Sequence, residues 1–351
     1  MLNLQKYGFM PQMMPENAEE LPARVTAVHR ERYELVCEYG EISGKLKKKE
    51  YFVEGEDFPT TGDFVLINYN PAGDSLIVGT LPRKTFFSRR DPTPGRGEQA
   101  VASNFDYVFI IQSLNQNFNI KRLERYLTLG WQSGALPVVI LTKADLLENQ
   151  TDYIQAVQKT AAGVPVYAVS AKSGLGLELL ADYVKPGKTI VFLGSSGVGK
   201  SSLVNALAGE EMMNVSAIRE EDGRGRHTTT HRQLIMLKNG AMIIDTPGMR
   251  ELGMWDISEG LGEAFQDVER FLGGCKFRDC KHQTEPGCAI KEALSSGKLS
   301  RERWESYIRL KGEAKYSDDK EAFLRQKQQR NKNIAKINKQ KKAAARKFRE
   351  E

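Results

Sequence analysis

From Leu21 to Leu81 apolar residues arrive in short alternating bursts. Ala23–His29, Tyr33–Cys37, Phe64–Asn68 and Ser75–Val78 each read as a strand, with Gly40, Gly44, Gly62 and Gly73 marking turns between them. About five short strands in roughly 60 residues predict a small closed barrel of the oligonucleotide-binding type, because closure removes the edges such a sheet would expose. Lys45, Lys47, Lys48 and Lys49 fall in a loop-like stretch, read either as phosphate contacts or as a solvated face. Residues 1–20 show no sustained period and are expected to be a flexible extension.

Lys84–Ala100 is rich in Arg, Pro and Gly and reads as a basic linker, placed at 83–105. Beyond it the rhythm changes to strand then helix. Tyr107–Gln112, Pro137–Leu141, Val166–Val169 and Thr189–Leu193 are continuous apolar runs. Amphipathic stretches over Ile120–Trp131, around Gln150–Thr160 and near Leu175–Ala181 alternate with them. That alternation predicts a mainly parallel sheet covered on both faces, with functional loops gathered beyond the carboxyl ends of the strands.

At 351 residues the chain is long enough for two or three domains. Hydrophobic residues make up 40 % and charged residues 27 %, and no run reaches the ~18 apolar residues of a membrane span. The N-terminus has no signal-peptide pattern, so a cytoplasmic protein without membrane attachment is expected. The net charge of +6 is unevenly placed: Arg325–Arg349 holds eleven Lys or Arg and no acid, while residues 1–324 carry 40 basic and 43 acidic side chains, a net of −3. A basic extension on a mildly acidic body suits a polyanionic partner; the blander reading is a solubilising helix end.

Gly194-Ser195-Ser196-Gly197-Val198-Gly199-Lys200-Ser201 follows an apolar strand and precedes the helix-like Ser202–Leu207. That is the context of a phosphate loop, in which backbone N–H groups and a helix N-terminus face a polyanion. Lys200 then reaches the terminal phosphates and Ser201 ligates Mg²⁺. Asp245-Thr-Pro-Gly248 ends another strand; the Asp holds the magnesium through water and the Gly248 N–H detects the γ-phosphate. Between them, Gly223–Thr230 is a polar segment suited to ordering around a γ-phosphate and its metal. One of Thr228, Thr229 and Thr230 is the expected magnesium ligand, with Thr229 favoured.

Thr142-Lys143-Ala144-Asp145 follows the strand ending at Leu141. An Asp there accepts both N1–H and N2–H of guanine, donors that adenine lacks, while Lys143 covers the base. Ser170-Ala171-Lys172 completes the pocket one strand later. The usual order in small GTPases is phosphate loop, switch threonine, Asp-x-x-Gly, base Asp, Ser-Ala; this chain runs Asp145, Ser170, Lys200, Thr229, Asp245, so the elements are circularly permuted. Permutation is tolerated where the original ends lie close together at the surface.

Cys275-x4-Cys280-x-His282-x5-Cys288 puts three thiolates and one imidazole within 14 residues. The set satisfies a closed tetrahedral Zn²⁺ site of structural type; an iron–sulfur centre and unliganded cysteines are the lesser alternatives. Cys37 reads as a small buried hydrophobe, and Trp304, Tyr307, Ile308 and Leu310 as a helical core stripe.

The permuted order, Thr-Lys-Ala-Asp, Asp-Thr-Pro-Gly, the Gly-Arg-His-Thr-Thr-Thr segment and the cysteine cluster together resemble the bacterial small ribosomal subunit biogenesis GTPases, over residues 21–318. The resemblance implies a multidomain fold: an oligonucleotide-binding barrel (21–82), a central α/β circularly permuted P-loop GTPase domain (106–252) and a C-terminal zinc-binding α-helical domain (253–318), with a basic extension over 319–351. It implies GTP hydrolysis during late 30S maturation, stimulation by that subunit, contact with 16S rRNA, and one structural Zn²⁺ beside Mg²⁺ with GTP. A monomer off the ribosome is expected. Where many GTPases carry a water-orienting Gln, this chain has Met249, as the family has an apolar residue there, which leaves His227 or a group supplied by the ribosome. His227 as an RNA contact or a packing residue stays open. Lys200 and Thr229 are the other candidates for catalysis. The competing functions are a non-enzymatic RNA-binding adaptor with a structural nucleotide site, and a GTPase of tRNA modification or ribosome export.

Overall fold

Five strands, β1 (Leu21–Val28), β2 (Tyr33–Cys37), β3 (Gly40–Leu46), β4 (Phe64–Asn68) and β5 (Ser75–Thr80), run in the order β1-β2-β3-β5-β4 in the computed structural model, and β4 returns to pair with β1. The structure describes residues 2–16, 18–29, 32–47, 58–90, 98–213, 232–245 and 258–315. Alternation sets the barrel's interior: Ala23 and Val25, Leu35 and Cys37, Val65 and Ile67, and Ile77 form one buried cluster. Cys37 is fully buried there, and burial pushes its thiol pKa up.

Three expectations change. Residues 2–16 are packed rather than loose: two 3-10 turns, Leu4–Tyr7 and Pro11–Met13, carry Leu4 and Phe9 into a cluster with Val36, Phe64 and Leu81. Lys45 lies in β3, not in a loop, and its Nζ is 2.6 Å from Asp74; Lys48 and Lys49 fall outside the described residues. The 83–105 linker contains a hairpin, β6 (Phe86–Arg90) paired antiparallel with β7 (Glu98–Ser103), because Phe87 and Val101 have a core to enter.

The second body is built on β8 (Tyr107–Ser113), β9 (Leu136–Thr142), β10 (Val166–Ala168), β11 (Thr189–Leu193), β12 (Gln233–Met236) and β13 (Met242–Asp245). Their order is β10-β9-β8-β11-β13-β12, parallel throughout except for β12. Val108, Ile110, Val139 and Leu141 enter one core, and Phe109, Ile111, Val138 and Ile140 the opposite one, so both faces are covered and the strands read as unbroken apolar runs. Helices α1 (Ile120–Gln132), α2 (Thr151–Thr160) and α3 (Lys200–Ala208) connect them. Asn119 caps α1 by accepting from the Arg122 N–H at 3.0 Å.

Barrel and sheet are joined through β1 and β12, which pair antiparallel at Ala27 and Gln233. Beside this seam Gly62 sits at φ 97°, where a Cβ would lie 2.1 Å from the Ser103 carbonyl oxygen; only glycine fits. Arg24, 1 % exposed, donates to the carbonyls of Gly62 at 3.3 Å, Asn104 at 2.8 Å and Tyr7, and its Nη1 lies 3.4 Å from Met242 Sδ of β13. Burial pulls its guanidinium pKa down to about 10, against the opposing pull of Asp106 and Asp63.

The C-terminal part comprises α4 (Ser258–Ala264), α5 (Gln266–Leu272), α6 (Ala289–Ser295) and α7 (residues 301–315). It docks on α1 through a buried ionic cluster. Arg303 bonds Glu124 of α1 at 2.8 Å and Asp267 of α5 at 2.9 Å, and lies 3.9 Å over the Phe265 ring. Glu124, 4 % exposed, also accepts from Ser306. Tyr307 and Leu310 are core as expected, whereas Ile308 is 46 % exposed and leaves the stripe. Among the described residues no helix is long and apolar enough to cross a membrane.

Candidate functional site

The parallel register brings the loops of interest to one edge of the sheet. Ser113 pairs with Thr142, Leu141 with Ala168, Ile110 with Leu193 and Val191 with Ile244, so β8, β9, β10, β11 and β13 all end on the same side. Beyond those ends lie Thr142–Asp145, Ser170–Lys172, Gly194–Ser202 and Asp245, whose sequence separations conceal a common location.

Gly194–Gly199 leaves β11 and enters α3 at Lys200. Gly194 must be glycine, since a Cβ would lie 2.9 Å from the Ile111 carbonyl oxygen. The Lys200 ammonium donates to the carbonyls of Gly194 and Ser195, both at 2.8 Å. An arriving phosphate offers that ammonium a full negative charge in exchange for neutral carbonyls, a stronger partner. Ser201 and Ser202 open the helix half-buried, and Val198 packs into the core.

The Thr142–Asp145 segment touches this loop directly. Thr142 Oγ1, buried, donates to the Val198 carbonyl, and Lys143 Nζ donates to the Gly197 carbonyl at 2.9 Å. Lys143 holds a left-handed backbone at φ 60°, and Asp145 is exposed one residue beyond the buried Ala144. The Ala144 N–H donates to Val169 O at 3.1 Å, joining the segment to the base of the Ser170 loop. Ser170 is buried, its Oγ accepting from the Ser173 N–H at 3.1 Å, while Ala171 is half-buried and Lys172 exposed. Asp245 is half-buried at the end of β13. His227, Thr228, Thr229, Thr230, Gly248, Met249 and the 325–349 tail lie outside the described residues.

Sequence reasoning missed the loop after β8. Asn117 Nδ2 donates to Ser195 Oγ and Ser196 O, both at 3.3 Å, and Arg122 Nη2 donates to Asn117 Oδ1 at 2.9 Å. The available signal was three asparagines, Asn115, Asn117 and Asn119, at the carboxyl end of an apolar strand.

The second cluster brings all four expected ligands together. The donor atoms of Cys275, Cys280, His282 and Cys288 lie within 4.8 Å of one another. His282 Nδ1 is 3.4 Å from Cys275 Sγ and from Cys288 Sγ, and those two sulfurs are 4.0 Å apart. A tetrahedron with metal–sulfur bonds of about 2.3 Å has edges of about 3.8 Å, so the group fits a single small metal ion. Burial pushes the Cys275 thiol up, but backbone N–H donors, Ala289 first, and the neighbouring thiols outweigh it and lower its pKa. Burial raises the Cys280 thiol to about 11, and its hydrogen bonds with Cys288 and Cys275 push the same way. The Glu285 carboxylate accepts from the N–H groups of Lys281 at 3.0 Å, Gln283 at 2.9 Å and Thr284 at 3.0 Å, which fixes the turn carrying His282. The backbone N–H groups of Glu285 itself, Lys281 and Gln283 hold its pKa down at about 2. The His282 ring packs edge-on against Trp304 at 5.6 Å.

Comparison with known proteins agrees with this geometry. The RsgA GTPase family model matches residues 80–255. Small ribosomal subunit biogenesis GTPase RsgA 2 of Listeria monocytogenes serotype 4b is 44 % identical over 340 residues, 95 % of this chain and 96 % of its own. RsgA 1 of Listeria monocytogenes serovar 1/2a is 46 % identical over 89 % of this chain and 90 % of its own. Among solved structures, YjeQ from Thermotoga maritima matches with a TM-score of 0.62 at 27 % identity, over 83 % of this chain and 97 % of that one. YloQ, described as a circularly permuted GTPase, matches with a TM-score of 0.59 at 26 % identity, over 86 % and 97 %.

Proposed function

This chain belongs to the RsgA GTPase family, and from that premise we propose the residue roles and partners through which it works. It is a GTP-hydrolysing enzyme that acts in biogenesis of the small ribosomal subunit. In our reading Gly194–Ser202 cradles the phosphates, Lys200 neutralises the β- and γ-phosphate oxygens, and Asp145 selects guanine with Thr142, Lys143, Ser170, Ala171 and Lys172 around the base. Ser201, Thr229 and Asp245 hold Mg²⁺, and Gly248 reads the γ-phosphate. His227 orients the attacking water, since the thioether of Met249 cannot. The metal held by Cys275, Cys280, His282 and Cys288 is one structural Zn²⁺; three thiolates and an imidazole leave no position for a reacting water.

The observation that carries the nucleotide reading is the Lys143 Nζ bond of 2.9 Å to Gly197 O, reinforced by Thr142 on Val198 O. The base-recognition segment grips the phosphate loop although the chain writes it more than 50 residues earlier. We assign the barrel, the exposed basic residues Lys276, Arg278, Lys281 and Lys291 around the cysteine cluster, and the 325–349 tail to 16S rRNA within the 30S subunit. We assign the protein to the cytoplasm, as a monomer when off the ribosome. Phosphate release from GTP and from ATP, each with and without purified 30S and 50S subunits, tests this directly. Slow GTP-specific turnover raised by 30S alone is expected; equal turnover of ATP, or equal stimulation by 50S, refutes it.

A further inference from the structure

The carbonyl groups of the phosphate loop can be accounted for one by one. Lys200 Nζ holds Gly194 O and Ser195 O, Asn117 Nδ2 holds Ser196 O, Lys143 Nζ holds Gly197 O and Thr142 Oγ1 holds Val198 O. Five consecutive carbonyls are held, each by a side-chain donor. A trans peptide points its N–H opposite to its C=O, so a carbonyl pinned to one side aims the N–H of the following residue to the other. When a phosphate takes Lys200, the peptides after Gly194 and Ser195 lose their holder. The peptides after Ser196, Gly197 and Val198 keep theirs. Asn117, Lys143 and Thr142 are then what keeps the Gly197, Val198 and Gly199 N–H groups converging on the anion.

Lys143 and Thr142 belong to the guanine-recognition segment; Asn117 has no such duty. Its orientation is nevertheless fixed. Arg122 is a pure donor and takes Asn117 Oδ1 at 2.9 Å, and it also bonds the Asn117 carbonyl. The amide therefore has to present Nδ2 to the loop. Arg122 is steadied in turn by Gln112 Oε1 at 3.3 Å, at the end of β8. The geometry points to Asn117, locked by Arg122, as a positioning residue of the phosphate loop, acting on the β-phosphate site shared by GTP and GDP. The inference rests on the nucleotide-binding reading of Gly194–Ser201.

The test uses the full chain and fluorescent mant-GDP and mant-GTP, with dissociation followed by stopped-flow chase. Two weak donor bonds lost in Asn117→Ala should raise both dissociation rates roughly fivefold to tenfold, leaving their ratio unchanged. Asn117→Asp is the decisive variant. It keeps the shape and improves the acceptor for Arg122, yet turns an oxygen toward Ser196 O. It should be at least as damaging as alanine, and Asn117→Leu, of similar volume and without added charge, should match alanine too, whereas a residue needed only for packing would be rescued by leucine. Arg122→Lys, which retains charge without the fork, should move both rates in the same direction by less. The thermal midpoint of nucleotide-free protein is the control. Parent-like dissociation from Asn117→Asp, or weakened binding matched by a fall in that midpoint, overturns the inference. A parent that binds neither nucleotide overturns the functional reading itself, which keeps the two failures distinct.

Discussion

Replacing Arg303 by Met removes the centre of the contact between α7 and α1. The guanidinium bonds Glu124 and Asp267 and covers the face of Phe265. Asp267 retains access to water, with a side chain 35 % exposed, so its loss is small. Glu124 does not: its side chain is 5 % exposed and would keep a single donor, Ser306. Leaving a buried carboxylate without its cation costs about 3–5 kcal/mol, and that cost falls on docking of the C-terminal helices. Hydrogen exchange of the α7 amides, in the regime where it reports the opening equilibrium, should accelerate roughly 10²- to 10⁴-fold. Adding Glu124→Met should return much of the loss, because an apolar pair needs no cation; the double variant should recover about 2 kcal/mol or more relative to the sum of the singles. Exchange less than about tenfold faster in Arg303→Met, or strict additivity in the double variant, would show that the ion pair does not hold the contact.

Asp145→Asn should lose its preference for GTP over ATP by about two orders of magnitude or more, since a carboxylate that pairs two guanine donors is replaced by a group that opposes one of them; competitive calorimetry reads this. Glu285→Ala should speed loss of zinc to a chelator at pH 7 about tenfold, because three N–H groups that shape the His282 turn lose their acceptor. Since the Glu285 pKa is depressed from 4.5 to about 2, its contribution is complete above about pH 4.5 and disappears as pH falls through about 2, so no change in this turn is expected between pH 6 and 8. Gly62→Ala should lower stability by about 3 kcal/mol or more and drop the calorimetric midpoint, its Cβ meeting the unyielding Ser103 carbonyl first and Ile244 Cδ1 next; a midpoint within about 1 °C of the parent would contradict the backbone clash.

Elements were legible where a single local rule decided them. β2 and β4 match their expected limits because each is a short, mostly buried run of apolar residues, and β8, β9 and β11 match theirs to within a residue because both faces are covered. The phosphate loop and the cysteine cluster were legible because ligand chemistry demands residue types at short spacing. β3 was hidden by Gly40 and Gly44, turn formers in most contexts. The β6–β7 hairpin was hidden by its Arg, Pro and Gly content, which outweighs two phenylalanines on paper but not in a core that receives Phe87. Leu4 and Phe9 gave no periodic signal, since they lie on or between short irregular turns and meet in one cluster only once Val36, Phe64 and Leu81 of the barrel side are in place. Asn117 could not be found from spacing, because its partners Ser195 and Ser196 arrive about 80 residues later in the loop after β11, and Arg122 matters only through Asn117.

The strand order has a consequence during synthesis. β8 and β9 pair across a short stretch of chain and can form early, but the other edge of β8 is completed by β11, which leaves the ribosome about 75 residues later. At 5–20 residues per second that edge, Tyr107–Ser113, stands open for roughly 4–15 s. It is also an apolar edge in the sheet's centre, a template for pairing with another nascent chain. The barrel faces a longer wait at β1, whose partner β12 begins at Gln233, after the whole nucleotide-phosphate loop has been made. A permuted gene order thus moves the vulnerable interval of this sheet from its rim to its middle, into the stretch of translation between codons 113 and 189.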